Sequence, residues 1–185
     1  MSQPTYRFCP QCAAPLSWFT QLEDGGHKAR LRCQACEFTH WNNPTPVLAA
    51  VVECVDREGP VLLARNAAWP GRFFGLITGF MEAGESPQDG IAREVLEETG
   101  LQAEVKDLIG VYDFQRMNQV IIAYHVQAHG NIQLSPELAE YKLLPPQDVM
   151  CWPAGTGQAL AQWLRRRGIE PRWMEFPKPT EPEKL

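Results

Sequence analysis

Glu94, Glu97 and Glu98 are the residues of this chain whose type and spacing most directly imply chemistry. Positions three and four apart are neighbours on a helix surface, so these carboxylates repel one another by roughly 0.2–0.5 kcal/mol per pair. Glu97 and Glu98 also fall in the last turn before Gly100, where the helix dipole is negative and favours cations. A cluster placed against both preferences implies a missing positive partner. A divalent metal ion supplies it. The bland alternative is a solvated acidic face. Against that stand Gly79, the isolated Glu85 and the single Arg93, all set at fixed intervals around the glutamates.

A second constellation lies near the N-terminus. Cys9 and Cys12, then Cys33 and Cys36, form two C-x₂-C pairs separated by twenty residues. That spacing fits a tetrahedral zinc site of four thiolates, each pair forming a tight knuckle around one ion. Disulfides and a thioredoxin-like redox pair are the alternatives. Neither fits a chain expected to be cytoplasmic, without a βαβ pattern around the motifs. Four protein ligands leave no open position for water, so the expected role is structural. Cys54 and Cys151 stand alone in apolar surroundings and read as buried small hydrophobes.

The elements that must position these groups follow from periodicity and breakers. Ser86 caps a helix, with Pro87 in its first turn, Asp89 as a capping acid and Gly100 as its stop. On that helix Ile91, Ala92, Val95 and Leu96 are expected to share the buried face. Val47–Val55 and Val61–Ala64 read as a hairpin turned at 56–59. Runs at 73–78, 103–114, 120–128 and 141–144 read as further strands, and 158–166 as an amphipathic closing helix. The breaker-rich stretch Asn42-Asn43-Pro44-Thr45-Pro46 marks a boundary. The expected organisation is a small ribbon over 1–43, a catalytic domain over 44–170 and a loosely packed tail over 171–185. The mixture of strands and helices indicates an α+β fold, an α/β/α sandwich. No apolar run of about 18 residues exists, and the N-terminus lacks the pattern of a secretory signal, so no membrane association and a cytoplasmic location are expected. The net charge of −5 argues against broad nucleic-acid binding.

The segment Gly79–Leu101 reads Gly, five residues, Glu85, seven residues, then Arg93-Glu94-Val95-Leu96-Glu97-Glu98-Thr99-Gly100-Leu101. It resembles a complete Nudix box, the signature of pyrophosphohydrolases of nucleoside diphosphates linked to another group. The resemblance implies a Nudix α/β/α sandwich with a mixed sheet, and Mg²⁺ or Mn²⁺ as catalytic metal. It makes Glu94 and Glu98 the principal metal ligands and Glu97 a ligand or water-activating carboxylate. Arg93 matches an orienting arginine, and Gly79 either lends a carbonyl to the metal or permits a turn. Glu82 and Glu85 would bind or position metal waters. A further acid from outside the box is expected at Glu137, in preference to Glu140.

The ribbon-then-Nudix order resembles two groups, the NADH pyrophosphatases and the shorter zinc-ribbon proteins acting on FAD or ADP-ribose. NADH pyrophosphatases carry Ser-Gln-Pro-Trp-Pro-Phe-Pro after the box, whereas this chain reads Val111-Tyr112-Asp113-Phe114-Gln115-Arg116-Met117. The expected substrate is therefore an ADP-linked dinucleotide or ADP-sugar, with FAD or ADP-ribose favoured over NADH. Tyr112 and Phe114 are candidate base-stacking residues, with Trp69, Phe73 and Phe74 as further aromatics. Decapping of NAD-linked RNA shares the chemistry and stays open. So does a ligand-sensing or nucleic-acid-binding module, though such a module would tolerate lost box carboxylates and none is lost here. A homodimer is the partner suggested by the family, with Phe73 and Phe74 as apolar surface.

Overall fold

The computed structural model describes residues 6–69, 71 and 73–175. The chain divides into two compact units, Met1–Pro44 and Thr45–Leu185. In the first, β1 (Leu16–Glu23) and β2 (Gly26–Cys33) form an antiparallel hairpin, and β3 (Thr39–His40) pairs with the end of β2. Its core is thin: among the described residues of this unit, only Cys9, Leu31 and Cys33 are buried hydrophobics.

The second unit is organised by β4 (Thr45–Cys54). Its apolar run has no polar alternation because both faces are covered. Leu48, Ala50, Val52 and Cys54 face one cluster, and Ala49 and Val51 face the other, as the period of two requires. The remaining elements are β5 (Val61–Asn66), β6 (Ile77–Phe80), α1 (Pro87–Thr99), β7 (Gln102–Phe114), β8 (Gln119–His129), β9 (Leu138–Leu144), β10 (Met150–Cys151), α2 (Thr156–Arg166) and β11 (Arg172–Trp173). The main sheet runs β7-β8-β4-β5-β9, with β6 also on β4. β4 and β8 are parallel over ten residue pairs, and the other pairings of this sheet are antiparallel. Ile91 and Val95 of α1 pack on one face of the sheet, and Leu160, Trp163 and Leu164 of α2 on the other. The α/β/α sandwich is the observed architecture.

Three expectations need correction. The 47–64 hairpin is far shorter than the sequence suggests: β5 pairs with β4 only at Val52↔Leu62 and Glu53↔Val61. On its other edge β5 pairs with β9 along its whole length, and β6 occupies the rest of the same β4 edge, from Val47↔Phe80 to Ala50↔Ile77. The short strand therefore lies at Ile77–Phe80 rather than 73–78. On α1, Leu96 is exposed, and Glu98 and Thr99 complete the buried face with Ile91 and Val95. Residue 96 lies about 100° round the helix from residue 95, whereas 98 and 99 return one turn later. Finally, the stretch beyond 171 is not loose at its start. Arg172 and Trp173 pair in parallel with Met150 and Cys151, and the Met174 N–H donates to the Cys151 carbonyl at 2.8 Å. Phe176 and the prolines after it lie outside the described residues.

Candidate active site

The fork in the β4 edge opens a cleft of about 590 Å³. One wall is acidic: Gly79, Glu82, Arg93, Glu94, Glu97, Glu98 and Glu137. Val47 and Leu76, which belong to the α2-side core, continue into the other wall with Trp69 and Phe80. The caps place α1 as the sequence predicts. Ser86 Oγ accepts from the Asp89 N–H at 3.1 Å, and Gly100, in the left-handed conformation, closes onto the Leu96 carbonyl.

Arg93 organises the carboxylates. Its Nε and Nη2 donate to Glu85 Oε2 and Oε1 at 3.1 and 3.0 Å, and its Nη1 reaches Glu94 at 2.9 Å and Glu97 at 3.0 Å. A bidentate guanidinium fork fixes orientation as well as charge. Glu85 also accepts from the Glu82 N–H at 2.7 Å, so both its oxygens are engaged. Arg93 first, then that N–H, holds the Glu85 carboxyl below its usual pKa. Glu85 thus serves as the anchor for the arginine.

Glu98 stands in the opposite situation. It is 8% exposed, and its carboxylate makes no hydrogen bond or ion pair among the described residues. Burial, with the charges of Glu94, Glu137 and Glu97, pushes its pKa up to about 7. Burial likewise raises Glu94, despite the help of Arg93. Five carboxylates against one guanidinium line the cleft. A hard oxygen donor set with excess negative charge fits a divalent cation of the Mg²⁺ or Mn²⁺ type.

Glu137 reaches this wall from just before β9. The Ser135 N–H donates to the Glu98 carbonyl at 3.0 Å, and the Ala67 N–H donates to the Glu137 carbonyl at 2.7 Å. The chain before β9 therefore satisfies a free carbonyl in the last turn of α1, and brings an acid with it. Glu140 is instead paired with Arg65 at 2.7 Å.

Gly79 sits within β6, and no turn explains it. A Cβ there would lie 1.9–2.3 Å from the Glu94 carboxyl atoms. The collision is with the far end of a flexible side chain, so Gly79→Ala should fold almost normally while displacing a cluster carboxylate. The expected result is a melting temperature close to that of the parent, with kcat/KM reduced by about 100-fold, the cost of a misplacement near 1 Å. Parallel thermal and kinetic measurements check it; an unaltered kcat/KM would show that the close approach is incidental. Gly90 was not singled out in the sequence, yet it is equally constrained: a Cβ would meet Glu85 Oε1 at 2.5 Å and Leu48 Cδ1 at 2.6 Å.

Comparison with known proteins agrees with this geometry. The NUDIX domain family model matches residues 44–167. The chain belongs to the Nudix family. A second model, described as Nudix N-terminal, matches residues 7–42. Among curated relatives, the NAD-capped RNA hydrolase NudC of Pseudomonas putida is 27% identical over 161 residues, which are 86% of this chain and 54% of that protein. The chain spans about half the length of the curated relatives it matches. A NUDIX hydrolase from Nitrosomonas europaea superposes with a TM-score of 0.70 at 26% identity, covering 90% of this chain and 96% of that one. An ADP-ribose pyrophosphatase from Streptococcus suis, 20% identical with a TM-score of 0.55, shares the fold over 71% of this chain. The helices of this Nudix protein include none long and apolar enough to cross a membrane among the described residues.

The four ribbon cysteines converge. Their sulfurs all lie within 4.8 Å of one another, with Cys9–Cys36 and Cys12–Cys33 each at 3.5 Å. Sulfurs about 2.3 Å from one tetrahedral ion stand roughly 3.8 Å apart, so the cluster fits a metal. Burial opposes ionisation of Cys33, but the Cys36 and Ala35 N–H groups outweigh it and bring the thiol to about 7, which favours the ligating thiolate. Cys54 and Cys151 are fully buried, and burial raises both thiols to about 11.

Tyr112 and Phe114 are not among the residues that line the cleft, although Gln119, the β8 partner of Phe114, is. Tyr112 donates to Gln162 of α2 at 2.7 Å, and both rings pack on the α2-side core. Phe74 is buried in that same core, and Phe73 is half-buried against it. Sequence reasoning also missed a buried polar network. Glu53 accepts from Arg167 at 2.8 and 2.9 Å and lies 2.9 Å from His125 Nε2. Burial opposes ionisation of Glu53, and these bonds overcome it, holding the carboxyl below its usual pKa. The network ties the end of α2 to β4 and β8. Its members are 42 to 114 residues apart in sequence, so no local pattern announces them.

Proposed function

We propose that this Nudix hydrolase is a Mg²⁺- or Mn²⁺-dependent pyrophosphohydrolase of an ADP-linked dinucleotide or ADP-sugar, such as FAD, ADP-ribose or NADH. The products are AMP and the phosphorylated remainder. The observation that carries this reading is the convergence of Gly79, Arg93, Glu94, Glu97, Glu98 and Glu137 on one cleft that also has an aromatic wall. Its volume lies within the range of small-molecule sites, about 300–1,000 Å³. Glu94 and Glu98 are the residues to hold the metal. Glu97, exposed and engaged by Arg93 at Oε2, ligates or takes the proton of the attacking water, with Glu137 as the acid from outside the box. Bound metal would screen the phosphate oxygens and acidify that water. Arg93 keeps the carboxylates in place. The ribbon cysteines hold zinc as a structural ion.

The names of the curated relatives favour a second reading, in which the diphosphate belongs to an NAD-linked RNA. The chemistry is the same, so one experiment covers both. Initial rates with FAD, ADP-ribose, NADH and NAD-linked RNA are compared with those for deoxynucleoside triphosphates, with either metal. We expect kcat/KM for an ADP-linked compound to exceed every triphosphate by at least about tenfold, or roughly 1.4 kcal/mol of differential transition-state binding. AMP is the expected product from FAD, ADP-ribose or NADH; from NAD-linked RNA, whose adenosine stays on the chain, nicotinamide mononucleotide and a 5′-monophosphate RNA are expected instead. A preference for triphosphates, with release of inorganic pyrophosphate, would overturn the dinucleotide reading and leave the Nudix chemistry standing.

A further inference from the structure

Of the aromatic residues that the sequence offers for stacking, Trp69 alone lines the carboxylate cleft. It is 41% exposed, which leaves ring surface open to a ligand. Its other contacts are built. Phe73 lies against it at 5.7 Å between ring centroids, and Phe73 in turn meets Trp152 edge-on at 5.2 Å. Trp152 belongs to the buried α2-side core, so the three rings form a buttress from the core to the mouth of the cleft.

The backbone beneath Trp69 is fixed as firmly. Its N–H donates to the Asn66 carbonyl at 3.2 Å, and Asn66 Oδ1 accepts from the Ala68 N–H at 2.8 Å. Within the same turn the Ala67 N–H holds the Glu137 carbonyl. The ring and the cleft acid are thus anchored to one piece of chain. Phe80 is the other exposed aromatic of the cleft, at 58%, but its ring makes no ring contact among the described residues. A preorganised ring stacks a planar partner with less ordering cost than a free one.

We propose that Trp69 is the stacking platform for a planar heteroaromatic ring of the substrate, either the purine or the ring system at the far end of the diphosphate. It is a specificity residue: it binds the ring and takes no part in bond cleavage. The inference rests on the dinucleotide reading above. Stacking of a base on an aromatic side chain is typically worth a factor of about 10 to 100 in affinity.

The test uses Trp69→Ala, Trp69→Phe and Phe80→Ala with ADP-ribose and FAD. Trp69→Ala should raise KM about 10- to 100-fold with kcat nearly unchanged, Trp69→Phe should restore most of the loss, and Phe80→Ala should change KM less. A loss on both substrates puts the purine on the ring, whereas a loss on FAD alone puts the isoalloxazine there; either supports the platform. Equilibrium dialysis of the same two compounds against Glu98→Gln, with and without Trp69→Ala, reads binding independently of turnover. Thermal denaturation controls for folding. Unchanged binding and KM in Trp69→Ala, or a fall in kcat alone, would overturn the platform while leaving the dinucleotide reading intact. A parent protein that neither binds nor cleaves either compound would overturn both.

Discussion

Glu98→Gln is expected to lower turnover by about three orders of magnitude at saturating Mg²⁺ or Mn²⁺, the factor that several kcal/mol of lost charge stabilisation represents. The substitution keeps size and shape. It removes the carboxylate that is buried and has no protein partner among the described residues. The fold should not suffer. Folding raises the Glu98 carboxyl from its ordinary value of 4.5 to about 7, so the folded state binds the proton more tightly than the unfolded one. In the metal-free protein that contribution to stability is complete below about pH 4.5 and is lost as the pH rises through about 7. The loss is on the order of 3 kcal/mol, and the glutamine variant should lack it. Metal-free Glu98→Gln at pH 8 should therefore melt higher than its parent, by several degrees. Denaturation across pH and kinetics at saturating metal check both halves. Parent-like turnover in the variant would remove Glu98 from the chemistry.

The second large effect is expected in the ribbon. The purified protein should carry one zinc per chain, and mild chelation that strips the catalytic ion should leave it, because thiolates hold zinc far better than carboxylates hold magnesium. Cys33→Ser replaces a buried sulfur, 3.5 Å from that of Cys12, with a hard hydroxyl. Leu31 is the sole buried hydrophobic other than cysteine among the described residues of Met1–Pro44. The metal must then supply most of the folding energy of that unit, and sites of this kind provide about 10–16 kcal/mol in isolated zinc-binding peptides. The variant should lose its zinc and become protease-sensitive within the first 44 residues. Its intrinsic catalytic rate should change far less. Absence of zinc from the parent, with the four cysteines oxidised, would overturn the assignment.

The sequence is most legible where a local rule meets a local structure. Ser86, Pro87 and Gly100 announce α1 because caps and stops act within one turn of the residues that make them. The paired cysteines announce their cluster because a C-x₂-C knuckle is itself local. Leu96 misleads because hydrophobicity alone sets the expected face, while the chain spends the inward position on an acid with a use for burial. Tyr112 and Phe114 mislead for a different reason. Alternation tells which residues of β7 share a face but not which face meets α2, and Gln162 decides that from 50 residues away. The divided edge of β4 is the least legible feature. A run of apolar, β-branched residues encodes strand and burial, yet carries no record of how many partners share one edge.

That divided edge separates what the enzyme can change from what it cannot. Glu94, Glu97 and Glu98 are rooted in α1, which is closely approached at Gly79 and Gly90. Trp69 belongs to the connection leaving β5, and that connection is bridged back to β5 at Ala64↔Gly75 before it continues as β6. Exchanges after Ala67 can reshape the wall that Trp69 forms without moving α1, whereas Ala67 itself has to stay because its N–H holds the Glu137 carbonyl. The helix that carries the glutamates behaves as a fixed chassis and the stretch after Ala67 as a replaceable fitting. Grafting that connection between members of the family is thus a direct route to altered substrate choice on unaltered chemistry.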